Sequence, residues 1–168
     1  MSNISLLVYG SLINKHELQK ENILLENCMP VFIKGLKREF NQEPTYRKID
    51  SINRAVLSVK EESSSYINAI LISNVKKSHI ENLDIRESGY FKYQVNKEKI
   101  EFKYTNEITE LGEVFIYMGR DIKRNENIFP NKSYLELCLN GAKHWGEEFY
   151  EDFVQTTFVQ NDSLLIYR

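Results

Sequence analysis

Two cysteines, Cys28 and Cys138, are all that this chain of 168 residues contains. They have neither redox nor metal-ligand spacing, and two thiols in such a length do not make a disulfide framework. No apolar run approaches the roughly 18 residues that a membrane-spanning helix needs. Met1 leads almost directly into Ile4, with no basic, signal-like segment between them. These absences predict a cytoplasmic protein with reduced thiols and no membrane partner. An excess of one charge is also lacking: 22 Lys and Arg stand against 24 Asp and Glu, a formal net charge of −2. No Lys/Arg block exceeds two residues and no basic-aromatic stripe is present, so nucleic acid is not an expected partner. A P-loop, a GxGxxG turn, a zinc signature, repeats and low-complexity segments are all missing.

What is present fits a globular domain. Hydrophobic residues make up 42% and charged residues 27%, and a chain of this length buries a core without staples. The expectation is one domain over residues 1–168.

Ile4, Leu6, Leu7 and Val8 form an apolar run that stops at Gly10-Ser11, a buried strand and a turn. Asn14 with Glu17 has capping-box spacing and opens a short helix over 15–21. Cys28 to Phe40 reads as a strand entered through Pro30 and relaxed at Gly35, and 41–53 as a loop. Residues 55–60 alternate with a period of two, 61–65 read as a turn, and 66–73 as a central strand, together a hairpin. Ser78 with Glu81 opens a second helix, which Gly89 stops before a strand from Tyr90 to Val95. An alternating piece at Ile100, Phe102 and Tyr104 precedes a strong strand over 112–119 and a charged loop over 120–129. Ser133 with Glu136 opens a third helix that places Tyr134, Cys138, Gly141 and Trp145 on one face. Gly141 and Ala142 would let that face approach a sheet. Phe149, Tyr150, Phe153 and Val154 mark another amphipathic helix after Gly146, and 164–167 read as a last strand. Many strands with a few inserted helices predict an α+β fold, a small mixed β-barrel or sheet of about six to seven strands flanked by helices.

Two stretches carry candidate chemistry. A strand running into Tyr9-Gly10-Ser11-Leu12 exposes backbone N–H groups that can hold a carboxylate or phosphate. An ordinary turn is the competing reading. In the second helix, the apolar positions Ile80 and Leu83 are continued by Glu87. At about 100° per residue, Glu87 returns to within about 20° of Ile80. A glutamate in an apolar stripe is paired, neutral or functional, because an unpaired buried charge is costly. The negative end of the helix dipole and partial burial should both raise its pKa, which suits a general base. A salt bridge to the adjacent Arg86 is the alternative. Asp84 shares the helix edge, but no histidine joins it to make a metal site. His16, His79 and His144 share no ligand spacing and read as surface residues. Ser11 lacks a His-Asp partner pair, which argues against a serine nucleophile. Tyr9, Tyr90 and Tyr117 fall at strand ends near the two stretches and could line a pocket.

In order, Val8-Tyr9-Gly10-Ser11-Leu12, Leu83-Asp84-Ile85-Arg86-Glu87-Ser88-Gly89-Tyr90, Tyr117, Pro130-Asn131-Lys132-Ser133-Tyr134 and Gly141-Ala142-Lys143-His144-Trp145-Gly146 resemble the gamma-glutamylcyclotransferase-like family. The resemblance spans residues 8 to about 154. It implies a small barrel flanked by helices and a cofactor-free reaction on a small γ-glutamyl substrate. The substrate's α-amine attacks its own γ-carbonyl, closing 5-oxoproline and releasing an amine or amino acid. Glu87 would move the proton, and the N–H groups of Gly10, Ser11 and Leu12 would hold the glutamyl carboxylate or polarise the carbonyl. Tyr9, Tyr90 and Tyr117 would bind substrate, and no metal is implied. Val8 and Ser88 depart from the family pattern without removing a reacting group. Two other readings stand beside it: a non-catalytic module that binds a small anion, and an interaction protein with Glu87 salt-bridged at the surface. Leaving group and oligomeric state, monomer or homodimer, stay open.

Overall fold

Two long strands give the sheet its frame, and they are long because each supplies the other with partners on both sides of two local irregularities. The computed structural model describes residues 4–44, 51–106 and 111–167. Strand β1 (Ile4–Val8) is followed by a 3₁₀ turn (Ser11–Ile13) and helix α1 (Lys15–Lys20). Strands β2 (Cys28–Gln42) and β3 (Val56–Ile72) come next, then α2 (Lys77–Arg86), β4 (Tyr90–Gln94), β5 (Ile100–Glu101) and β6 (Glu113–Gly119). The chain continues with α3 (Lys132–Lys143), α4 (Glu147–Gln155), β7 (Thr157–Val159), β8 (Asp162–Ser163) and the helical turn α5 (Leu164–Tyr167). Eight strands form one mixed sheet in the order β4-β6-β1-β3-β2-β7-β8, with β5 also on β2. Pairing is parallel at β1/β6 and β2/β7 and antiparallel elsewhere. The α+β class is as expected. The strand order among the described residues is an open path, not a closed barrel, and it has more strands than expected. Among the described residues no helix is long and apolar enough to cross a membrane.

Three expectations fail for local reasons. Residues 61–65 are not a turn, and 55–60 and 66–73 are not a hairpin. Lys34 pairs with Tyr66 and Leu36 with Glu61, so residues 62–65 bulge opposite Gly35, whose φ is +86°. The polar run faces water as a bulge, and β3 keeps its direction because β2 runs past the interruption. Residues 164–167 form a helical turn, in which Leu164 is buried while Leu165 and Ile166 are exposed. A short apolar run fits either period, and only one of these side chains has core to enter. Of three expected capping boxes, Asn14 is a real cap, accepting from the His16 N–H at 3.0 Å. Helix α2 starts after Lys76 with no side-chain cap, and α3 is capped by Asn131, which accepts from Tyr134 N–H at 3.0 Å. Asn131 and Ser133 lie within one turn, and asparagine is at least as good a cap. Part of the expected loop over 41–53, residues 45–50, lies outside the described residues; Asn41 and Gln42 belong to β2.

The small face of α3 packs on the turn after β1, not on the sheet. A Cβ at Gly141 would lie 2.7 Å from the backbone nitrogen of Asn14 and 2.8 Å from its Cα. Asn14 Nδ2 donates to the Leu137 carbonyl at 3.1 Å, and Trp145 Nε1 donates to the Ile13 carbonyl at 2.7 Å. Gly141→Ala should favour the isolated helix by about 1 kcal/mol. Crowding against a backbone that cannot rotate away should outweigh that by destabilising about 1–3 kcal/mol. The expected result is a lower urea midpoint at unchanged m-value. A higher midpoint would mean that helix and turn part without resistance.

Candidate active site

Strand β1 delivers the Tyr9-Gly10-Ser11-Leu12 turn at its C-terminal end, beside β3 and β6. Three supports hold it. The Tyr9 carbonyl accepts from the buried Arg38 guanidinium at 3.2 Å. Gly10 lies so close to α3 that a Cβ would sit 2.8 Å from the Tyr134 hydroxyl oxygen. Ser11 Oγ accepts from Arg86 at 3.1 Å. The chain then winds into the 3₁₀ turn, closed by the Ile13 N–H on the Gly10 carbonyl at 3.1 Å. The N–H groups of Ser11 and Leu12 precede that first bond, so the turn itself gives them no acceptor.

Glu87 is the C-cap residue of α2, with its N–H on the Leu83 carbonyl at 2.8 Å. Its own carbonyl accepts from Tyr90 N–H at 2.9 Å, which turns the chain into β4. Leu83 is buried, Ile80 and Glu87 are half-buried, and the stripe is as expected. Glu87, Tyr9, Gly10, Ser11, Leu12, Tyr90 and Tyr117 line one cleft, with Leu7, Val8, Leu57 and Tyr134 completing it. Every site residue expected from the sequence is therefore gathered there. The cleft is small and partly open to solvent, with a cavity volume of about 40 Å³, below that of usual small-molecule pockets.

The three phenols are engaged. Tyr9 donates to the Tyr117 carbonyl at 2.6 Å, Tyr90 to the Leu57 carbonyl at 2.6 Å, and Tyr117 to the Asp84 carboxylate. Burial raises the pKa of each well above the usual phenol range, and the nearby Glu87 charge pushes all three further in that direction. The tyrosines are thus fixed walls at neutral pH, and Glu87 is the carboxylate in the cleft lining.

Arg86 is not simply the partner of Glu87. It bonds Glu21 at 2.9 Å and lies 3.7 Å from Glu17. Burial alone would lower its pKa, but the Glu21 bond and the charges of Glu87, Glu21 and Glu17 raise it above the ordinary value. Arg38, which the sequence reading passes over, is fully buried. A signal existed: Leu36, Arg38 and Phe40 fall on one face of β2, so Arg38 interrupts an apolar stripe as Glu87 does. Asp84 is placed by Tyr117, and Lys92 approaches it at 3.4 Å. No three His, Cys, Asp or Glu side chains lie together as a metal site among the described residues. His144 is more than a surface residue: its Nδ1 accepts from Lys15 N–H at 3.1 Å, and its ring meets that of the exposed His16 edge-on at 5.5 Å.

Solved structures share this architecture. A structure described as gamma-glutamyl cyclotransferase matches with a TM-score of 0.64 at 16% identity, over 90% of this chain and 86% of that one. An uncharacterised protein from Homo sapiens matches at 0.65 and 16% identity, over 91% and 87%. A yeast gamma glutamyl cyclotransferase described as specific to glutathione matches at 0.56 and 14% identity, over 99% and 93%. No protein-family profile matches the chain, and no curated protein matches it by sequence. The chain has the gamma-glutamyl cyclotransferase fold, so the resemblance read from the sequence holds at the level of fold.

Burial, then the His16 and Lys15 charges, hold the His144 pKa below the ordinary histidine value. The folded state therefore favours neutral His144. Below the unfolded value of about 6.5 the unfolded chain binds the proton first, so stability falls as pH drops through that window. An NMR titration should place the His144 midpoint below that of a free histidine. His144→Gln should flatten the loss of melting temperature between about pH 7 and pH 5. A midpoint above the free value would reverse the sign.

Proposed function

We propose that this protein is a cofactor-free cyclotransferase that converts a γ-glutamyl amide into 5-oxoproline and a free amine or amino acid. The observation that carries the reading is the meeting of Glu87 with the Gly10–Leu12 backbone in one cleft. A substrate α-ammonium beside Glu87 gives up a proton to the carboxylate, and the amine attacks the γ-carbonyl carbon four bonds along the chain, closing a five-membered ring. The carbonyl oxygen gathers charge as the ring closes. N–H groups at the turn hold either that oxygen or the α-carboxylate. Glu87 then delivers its proton to the amide nitrogen as the C–N bond breaks, and the second proton of the attacking nitrogen passes to the released amine, so the carboxylate is regenerated, the lactam is neutral and the leaving amine carries the charge the substrate ammonium brought.

Ring closure is intramolecular, and the cleft has to fold a flexible chain and move one proton. Orientation alone is worth about 7–11 kcal/mol in favourable intramolecular cases. Tyr9, Tyr90 and Tyr117 suit that task because their hydroxyls are already tied down and their rings form rigid walls. The likeness to a yeast protein described as specific to glutathione makes γ-glutamyl peptides a natural first substrate class.

The test is a panel of γ-glutamyl peptides and γ-glutamyl amines, with 5-oxoproline read by mass spectrometry. Glu87→Gln, nearly isosteric, should fold like the parent and lose turnover by a factor of about 10² or more. An active Glu87→Gln would overturn the mechanism. A parent that forms no product but is stabilised thermally by γ-glutamyl compounds would instead be a binding module.

A further inference from the structure

We infer that Arg86 is the positioning residue that fixes the span between Glu87 and the Gly10–Leu12 turn; this rests on the cyclotransferase reading. Arg86 does not line the cleft. It is the last residue of α2, directly before Glu87, and its side chain is only 10% exposed. One arm of the guanidinium bonds Glu21 at the end of α1 at 2.9 Å, and the other bonds Ser11 Oγ at the start of the 3₁₀ turn at 3.1 Å. The turn and α1 are one continuous piece of chain joined by the Asn14 cap. Arg86 therefore clamps the end of α2 across both ends of that piece.

The consequence for Glu87 is direct. Its backbone is continuous with Arg86, so a shift of the clamp moves the carboxylate relative to the turn. A misplacement of about 1 Å can cost about 10²-fold in rate. The guanidinium also places positive charge beside Glu17, which is buried, and Glu21. Without it, both carboxylates would repel an anion held at the turn. Lysine, a point charge without the fork, cannot reach both acceptors in fixed geometry.

The experiment compares Arg86→Gln, Arg86→Lys, Ser11→Ala and the Arg86→Gln/Ser11→Ala double variant. For each, kcat, KM, melting temperature and amide exchange at Ser11 and Leu12 are measured. Arg86→Gln should lower kcat by about 10- to 100-fold, with partial rescue in Arg86→Lys. Ser11→Ala should act in the same direction, and the double variant should be no slower than Arg86→Gln alone. Amide exchange at the turn should rise in Arg86→Gln and in Ser11→Ala. Additive losses, or a kcat loss that disappears once the temperature is lowered below the variant's melting range, would make Arg86 merely structural and overturn the proposal. Should Arg86→Gln not fold, Ser11→Ala decides, since an unchanged kcat and unchanged exchange there overturn the clamp. A parent that forms no product overturns the reading beneath, while exchange at the turn still reports on the clamp by itself.

Discussion

A guanidinium with no carboxylate partner among the described residues holds the centre of this protein together. Arg38 is fully buried, yet its five donor contacts go to neutral acceptors. These are Thr157 Oγ1 at 2.7 Å, the Tyr9 carbonyl at 3.2 Å, the Asn68 carbonyl and Oδ1 at 2.7 Å each, and Thr156 Oγ1 at 2.8 Å. Its plane lies over the Phe153 ring at 4.1 Å. Burial pulls its pKa down to about 9, against the opposing influence of Cys138 and nearby phenols, so it remains charged at neutral pH. Hydrogen bonds to a charged group contribute about 1.5–3 kcal/mol each, while desolvating an ion costs several kcal/mol. The arrangement holds only because every acceptor is already in place. Arg38 thereby binds β1, β2, β3 and the α4–β7 junction into one unit.

The candidate site inherits its rigidity from that unit. The Tyr9 carbonyl that Arg38 fixes belongs to the peptide bond that begins Gly10. On the next side, α3 closes against Asn14 and ties Ile13 through Trp145, which is possible only because position 141 carries no side chain. On the third side, Arg86 engages Ser11 Oγ. A short 3₁₀ turn would fray by itself, since its bonds are few and poorly aligned. Here the carbonyls and side chains around it are occupied by the scaffold, which leaves backbone N–H groups as its remaining chemistry.

The sequence makes some of this legible and hides the rest for physical reasons. Glu87 stands out because a helix repeats every 3.6 residues and the stripe Ile80, Leu83, Glu87 can be counted without knowing what it faces. Arg38 carries the equivalent signal at a period of two, but Lys37 and Glu39 flank it, and three charges in a row read as a solvent-facing stretch. The partners that make Arg38 tolerable, Asn68, Thr156 and Thr157, are remote in sequence and individually ordinary. The bulge at 62–65 is invisible for the same reason: the polar run 61–65 is a turn locally, and only the continuity of β2 beside it makes it part of one strand. The clustering of Tyr9, Tyr90 and Tyr117 follows from strand order, since β1 lies beside β6 and β6 beside β4.

Arg38 and Glu87 also show why a charge in an apolar stripe does not by itself identify chemistry. Each announces a desolvation penalty that something must offset. For Arg38 the offset is a complete shell of dipoles, and no face is left toward a cleft. Glu87 is half-buried and opens onto a cleft walled in part by Tyr9, Tyr90 and Tyr117, phenols with their protons committed elsewhere. The charges are also ordered in depth. The two guanidinia stand behind the turn, reaching it through the Tyr9 carbonyl and Ser11 Oγ, and Glu87 stands in front. The buried charge of Arg38 behind the N–H donors of the turn favours an anion there, and salt screens it less than it would a surface lysine. A carboxylate opposite favours the ammonium end of the same molecule. That order of charge, N–H donors behind and a carboxylate in front, is what the proposed γ-glutamyl substrate, with its α-carboxylate and α-amine on one carbon, would meet.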